Sequence, residues 1–258
     1  MNSSTPETPD APDRPDPAEA GPFPHLIRVV LLMTAAAVSL VWTLRHSEAE
    51  LRDGLRSILA AQRIDEGRWK DAVVEGVEHP LHPLAIVAAH RLLGGEGPEW
   101  WQRAAVAASF AAVVLLVVPL YLTGRDLFGD RAAWLGCLLF LANPLIGSIV
   151  VNVLSESTFL LVWTWGLWAS IRFLRDGTFG WLIAAVAFGA LAYLARPEGL
   201  LLPATLLLTL LLVPLHRSTR IHWSRWRRAT AILVLGAAAA VGPYVAAMGT
   251  LTPRLGPS

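Results

Sequence analysis

Apolar residues in this chain come in long blocks, and its polar residues are bunched between the blocks instead of alternating with them. Blocks of roughly 18 or more apolar residues are long enough to cross a bilayer as helices. Seven can be drawn, at about 27–45, 102–123, 131–151, 155–174, 179–195, 198–215 and 229–248. The pattern predicts an all-α, polytopic transmembrane helical bundle of about seven spans. The connections are short except one, a first outer loop over residues 46–101. Within it, "SEAELRDGLRSILAAQRIDEGRW" sets Leu51, Leu55, Ile58, Leu59 and Ala61 on one side, and Glu48, Arg52, Asp53, Arg56 and Arg63 over most of the other. That is an amphipathic helix, too polar to span and suited to the membrane surface. A second helix over about 83–94 is too short to cross, so the loop is expected to hold two interfacial helices joined by a turn.

Composition agrees with this pattern. The chain is 54% hydrophobic and 16% charged, against about 25% charged in soluble domains. A net charge of +1 gives no bulk electrostatic argument for nucleic acid, whose footprint needs a clustered, solvent-exposed basic face. The one cysteine, Cys137, excludes an internal disulfide and reads as a small core residue. Residues 1–26 are rich in proline and acid, with Glu7, Asp10, Asp13, Asp16 and Glu19 against Arg14. Such a segment predicts a disordered tail, ahead of a transmembrane domain over 27–258. It lacks the basic start of a secretory signal, so the first apolar block is expected to be a retained anchor.

Orientation follows from arginine. Arg125 and Arg131, Arg172 and Arg175, and Arg217, Arg220, Arg225, Arg227 and Arg228 occupy alternate connections. The positive-inside tendency makes those connections and the N-terminus cytoplasmic and turns the long loop outward, in the cell (plasma or inner) membrane. Trp100, Trp101, Trp181, Trp223 and Trp226 fall near span ends, as an aromatic belt does.

On that topology several polar groups gather on the outer side: Asp53, Ser155-Glu156-Ser157 at the start of the fourth span, Arg196-Pro197-Glu198 between the fifth and sixth, and the histidines of "VEHPLHPL". Ionisable groups at membrane depth are costly and usually paired or functional. Each also has a plainer reading. Asp53 could be a solvated charge on a surface helix. Glu156 could serve its own helix N-terminus. Arg196 and Glu198 could pair across a turn set by Pro197, while Asn143-Pro144 and Asn152 could mark a loop. His79 and His82 could ligate a metal, but Pro80 and Pro83 favour an extended hinge between the two surface helices. No metal site is assigned.

Taken in order, these segments resemble the membrane-embedded GT-C glycosyltransferases, and within them the dolichyl-phosphate-mannose–protein mannosyltransferase-like and aminoarabinose-transferase-like group. The resemblance rests on six stretches between about 27 and 215: "DGLRSILAAQRIDEGRWKDAV", "EHPLHPLAIVAAHRLLG", "GRDLFGDRAAWLG", the "NP" after the third span, "NVLSESTFLLVWT" and "AYLARPEGLLL". It implies transfer of a sugar from a polyprenyl-phosphate donor to a lipid, glycan or protein acceptor. Asp53 matches the first-loop acid, with Glu48 as a rival, and would deprotonate the acceptor hydroxyl. His79, His82, Glu156, Arg196 and Glu198 match substrate-binding positions, with Arg196 facing the charge that develops on the leaving phosphate. At His82 an aromatic residue is more usual. The resemblance implies no certain cofactor and leaves open a divalent metal. Family members are usually longer, so a truncated member is expected. The rival readings are an inactive scaffold derived from such enzymes, or a lipid or solute transporter; no internal repeat or matched pair of broken spans points to the latter. Sugar, acceptor and oligomeric state are not legible.

Overall fold

The computed structural model describes residues 23–47, 52–74, 79–212 and 223–249, and of these only the backbone at 23–24, 52–53 and 73–74. The described residues are helical, without a strand among them: α1 (Phe23–His46), α2 (Arg52–Asp65), α3 (Trp69–Val74), α4 (Leu81–Leu93), α5 (Pro98–Phe128), α6 (Asp130–Ala142), α7 (Pro144–Val151), α8 (Glu156–Asp176), α9 (Phe179–Ala195), a 3-10 turn (Pro197–Leu200), α10 (Leu201–Leu212) and α11 (Trp223–Met248). Residues 1–22 of the expected tail, Glu48, Leu51, Glu78, Arg217 and Arg220 lie outside the described residues.

Helix ends follow local chemistry. Pro98 starts α5 at a position where its missing N–H costs nothing. Gly129 (φ 86°) and Gly177 (φ 63°) end α5 and α8 in the left-handed region that glycine enters freely. The span expected over 131–151 is two helices bent by 56°. The bend is at Asn143-Pro144, where the Asn143 side chain accepts a hydrogen bond from the Leu145 N–H at 3.0 Å and Pro144 opens α7. The expected loop there is therefore a capped helical break.

The count of seven spans is not reached by length and composition among the described residues. Three helices qualify, α1, α5 and α11, or four if the bent pair is one span. The segments behind the other expected spans include α9 and the 3-10 turn with α10, which are apolar but shorter. The outer loop holds α2 and α4 as expected, with the short α3 between them. On α2, Ile58 and Ala61 pack against Ile86, Val87, Ala104 and Ala105 of α4 and α5, while Leu55 and Leu59 stay exposed.

Lipid is as apolar as leucine, so helices in a membrane gain most from close packing through small residues. Accordingly α5 buries Ala104, Ala105, Ala108, Ser109 and Ala112. α8 and α9 approach at Gly166, where an added Cβ would meet Leu202 and, at 3.2 Å, Phe188. Cys137 is buried beside Leu32, Ala36, Val117 and Tyr121, in agreement with its reading as a core residue. α8 packs against both α5 and α9, and α11 against α9. The first turn of α8, the last of α9 and the end of α11 thereby come to one end of the bundle.

Candidate functional site

At that end, Arg196 leaves the last turn of α9 in an extended conformation (φ −157°, ψ 149°) and starts the 3-10 turn of "RPEG". The turn folds back so closely that a Cβ on Gly199 would collide with the backbone of Ala192 and Tyr193. The motif's glycine is thus required by a close backbone approach. The fold-back brings Arg196 into a bridge with Glu156, in the first turn of α8. Its Nε and Nη2 also donate to Glu198 at 3.3 Å each. One guanidinium is therefore shared by two carboxylates from different elements. Burial works against the charge of Arg196, but Glu198 and Glu156 outweigh it and hold the group charged beyond its ordinary range. The hydrogen bond from Arg196 in turn holds the Glu198 carboxyl below the usual carboxylate range, with burial opposing. The pairing of Arg196 with Glu198 proposed from sequence is present, and Glu156 joins it from the helix start that Ser155 opens.

His79 lies against this pair. It is buried, its ring 5.4 Å from Tyr193 edge-on and 5.6 Å from Tyr244, and the two tyrosines are 5.8 Å apart. Neither ring nitrogen of His79, nor the Tyr244 hydroxyl, meets hydrogen-bonding geometry among the described residues. Buried polar groups without partners are uncommon in native structures. Burial lowers the His79 pKa, the nearby Tyr193 backbone and Glu198 pull it upward more weakly, and Arg196 adds a small push down.

His82 takes a different place. Three residues on, in the first turn of α4, it is fully enclosed, and its Nδ1 meets the Thr158 Oγ1 of α8 at 2.9 Å. Burial pushes its pKa down to about 4, against a weaker pull from the Val153 backbone. Val153 itself, buried in the turn before α8, has φ 54°. A β-branched residue in that region carries strain on the order of 1–3 kcal/mol and marks a position fixed by its surroundings.

The structure thus brings together His79, Glu156, Arg196 and Glu198, and sets His82 behind them. Asp53 lies in the first turn of α2, and its side chain is outside the described residues. Three contributors were missed in the sequence: Tyr193, Tyr244 and Thr158. The chain has three tyrosines, and two of them enclose one histidine; their rarity was an available signal, but nothing local joined residues so far apart. Among the described residues, no group of three His, Cys, Asp or Glu side chains is arranged to hold a metal.

The opposite end carries a second set of charges. Asp126 accepts from Trp168 Nε1 at 3.0 Å and faces Arg125 and Arg172 at 3.5 and 3.8 Å. Asp130 is held by Arg28, by Tyr121 and by His25, the last at 3.3 Å. These contacts tie α1, α5, α6 and α8 together.

Residues 78–244 match the dolichyl-phosphate-mannose-protein mannosyltransferase family, a stretch of well over half the chain. The fold is similar to that in the crystal structure of ArnT from Cupriavidus metallidurans bound to undecaprenyl phosphate, with TM-score 0.61 and 23% identity. That likeness covers 89% of this chain and 42% of the other, so this chain spans less than half the length of the solved relative. No curated protein matches the chain.

Proposed function

The chain belongs to the dolichyl-phosphate-mannose-protein mannosyltransferase family, and on that footing we propose that it moves a sugar from a polyprenyl-phosphate donor to a lipid, glycan or protein acceptor at the outer membrane face. The observation that carries this reading is the meeting of Glu156, Arg196, Glu198 and His79 at one end of a membrane bundle. Arg125, Arg172 and Arg175 lie towards the other end, at the finish of α5 and α8, with Arg225, Arg227 and Arg228 at the start of α11. Their placement supports a cytoplasmic Asp126 end in the plasma (inner) membrane, with the Arg196 end outside.

The chemistry suits the groups. Asp53 takes the proton of the acceptor hydroxyl as its oxygen attacks the anomeric carbon. The bond to the lipid phosphate breaks with inversion, and the departing phosphate keeps the electron pair. Arg196 faces that growing negative charge. Its two bonds to the half-exposed Glu198 are long, at 3.3 Å, so a phosphate oxygen replaces Glu198 while the bridge to Glu156 keeps the guanidinium in place. A preorganised donor of this kind contributes about 3–4 kcal/mol to the barrier where water is excluded. His79, whose ring nitrogens meet no hydrogen-bonding geometry among the described residues, is left to contact the donor. Glu156 offers one oxygen and Glu198 both of its oxygens to Arg196.

Transfer from a polyprenyl-phosphate sugar, measured with protein reconstituted in lipid, tests this reading. Asp53→Asn should abolish transfer while leaving the protein folded and inserted. Undiminished transfer by that variant removes Asp53 from the mechanism, and substrate flux without transfer by the unaltered protein makes it a transporter.

A further inference from the structure

We propose that His82 is a positioning residue that acts through Thr158, pinning the hinge that carries His79 to the helix start that carries Glu156. The inference deepens the glycosyltransferase reading and rests on it for the identity of the bound lipid.

The geometry argues from three sides. His82 is completely buried, and its Nδ1 hydrogen bond to Thr158 crosses from α4 to α8, with the Val153 backbone as its other polar neighbour. Each end of that bond is within a turn of a site residue. His79 precedes His82 by three positions, across Pro80, and Glu156 precedes Thr158 by two, in the same first turn of α8. A shift of α4 against α8 therefore changes the distance between His79 and the Glu156–Arg196 bridge. The third side is the turn before α8. Asn152 follows α7, Val153 is held buried at φ 54°, and the Leu154 carbonyl receives the Ser157 hydroxyl at 2.9 Å. A chain that enters α8 through a left-handed valine has a fixed direction only if something outside the turn holds it. The His82–Thr158 bond, beside the Val153 backbone that His82 also faces, is a polar contact from outside that turn.

His79 lies on the same hinge, with Glu198 and Arg196 beyond it; Tyr193 and Tyr244 close the far side of His79. None of them reaches His82, whose surroundings are apolar apart from Thr158 and the Val153 backbone. Its role is therefore geometric.

Thr158→Val removes the hydroxyl and keeps the shape, and Thr158→Ser restores the hydroxyl. The probe is undecaprenyl phosphate, titrated into the full chain in lipid nanodiscs and followed by tryptophan fluorescence, together with sugar transfer and the thermal unfolding midpoint. Misplacing reacting groups by about 1 Å lowers rates up to about a hundredfold. Thr158→Val should therefore lower kcat by about 10- to 100-fold with a smaller change in donor KM, while Thr158→Ser stays within about threefold of the unaltered protein. Adding His82→Asn to Thr158→Val should cost little more, because the two residues make one contact. The proposal is overturned if Thr158→Val transfers like the unaltered protein, if valine and serine lose alike, or if losses at His82 and Thr158 multiply. It is also overturned if the loss merely tracks a fall in the unfolding midpoint. Should the unaltered protein transfer no sugar, the function assigned above fails. The pin is then judged by undecaprenyl-phosphate binding, weaker in Thr158→Val and regained in Thr158→Ser if it holds, and equal in all three if it does not.

Discussion

The two ends of the bundle hold the same kinds of side chain in opposite arrangements. At the Asp126 end the anion is central: Asp126 is surrounded by Trp168, Arg125 and Arg172, and Asp130 by Arg28, Tyr121 and His25. At the Arg196 end the cation is central, shared by Glu156 and Glu198, beside a histidine with no partner among the described residues and a turn strained at Val153. A carboxylate enclosed by donors from several helices is a clamp, and moving any of those donors loosens the packing. An arginine shared by two acids, one of them half exposed, can exchange a partner for a phosphate oxygen without being left uncompensated. Polar residues at membrane ends are therefore no mark of function in themselves. A cation shared between acids, one of them half exposed and exchangeable, is the better mark.

That contrast can be broken by experiment. The largest effect on stability should be one of pH at the Arg196 end. His82, with its pKa at about 4, stays neutral when folded down to that pH, and His79 is shifted in the same direction by burial, whereas an unfolded histidine binds a proton below about pH 6.5. The unfolded state then holds more protons, so stability is full above about 6.5 and falls as pH drops toward about 4, by on the order of 3 kcal/mol for His82. Thermal midpoints measured across that range should show the slope, and His82→Asn should reduce it; an unchanged slope would mean the ring is charged when folded. Next in size is Asp126→Asn, which keeps a partner for Trp168 but removes the anion facing two arginines. It should cost about 2 kcal/mol of stability and leave transfer per folded molecule near that of the unaltered protein. A specific loss of transfer there would erase the distinction between clamp and site. The smallest effect belongs to Arg225→Ala. That exposed side chain donates to the Gly177 carbonyl and sits 5.9 Å over Phe179, contacts worth under about 1 kcal/mol at the surface.

Much of the Arg196 end was legible because its chemistry is local. Arg-Pro-Glu-Gly sets a turn, an arginine and an acid within four residues, and Ser155-Glu156 marks a helix start. Alternation of outer and inner connections was enough to bring both to one face, and both stretches lie inside the family match. Helical amphipathicity likewise placed α2, and the apolar run placed α4. What escaped depends on three-dimensional packing. His82 looked like its neighbour His79, as both precede a proline, yet three residues along a helix start turn one toward the tyrosines and the other onto Thr158. The aromatic enclosure joins His79 of the hinge to tyrosines of α9 and α11 more than a hundred positions away. The count of seven spans is not reached by length and composition among the described residues, where Asn143-Pro144 bends one expected span and the helices on either side of the Arg196 turn are short.

The most direct test compares Arg196→Ala with Asp126→Asn in one preparation, reading sugar transfer from a polyprenyl-phosphate donor and the thermal midpoint of each. Arg196→Ala should lower transfer by about 100- to 1,000-fold and shift the midpoint less than Asp126→Asn does, while Asp126→Asn lowers the midpoint and spares transfer. Arg196→Ala with unchanged donor KM and kcat, or with transfer lost only in step with unfolding, would contradict the account.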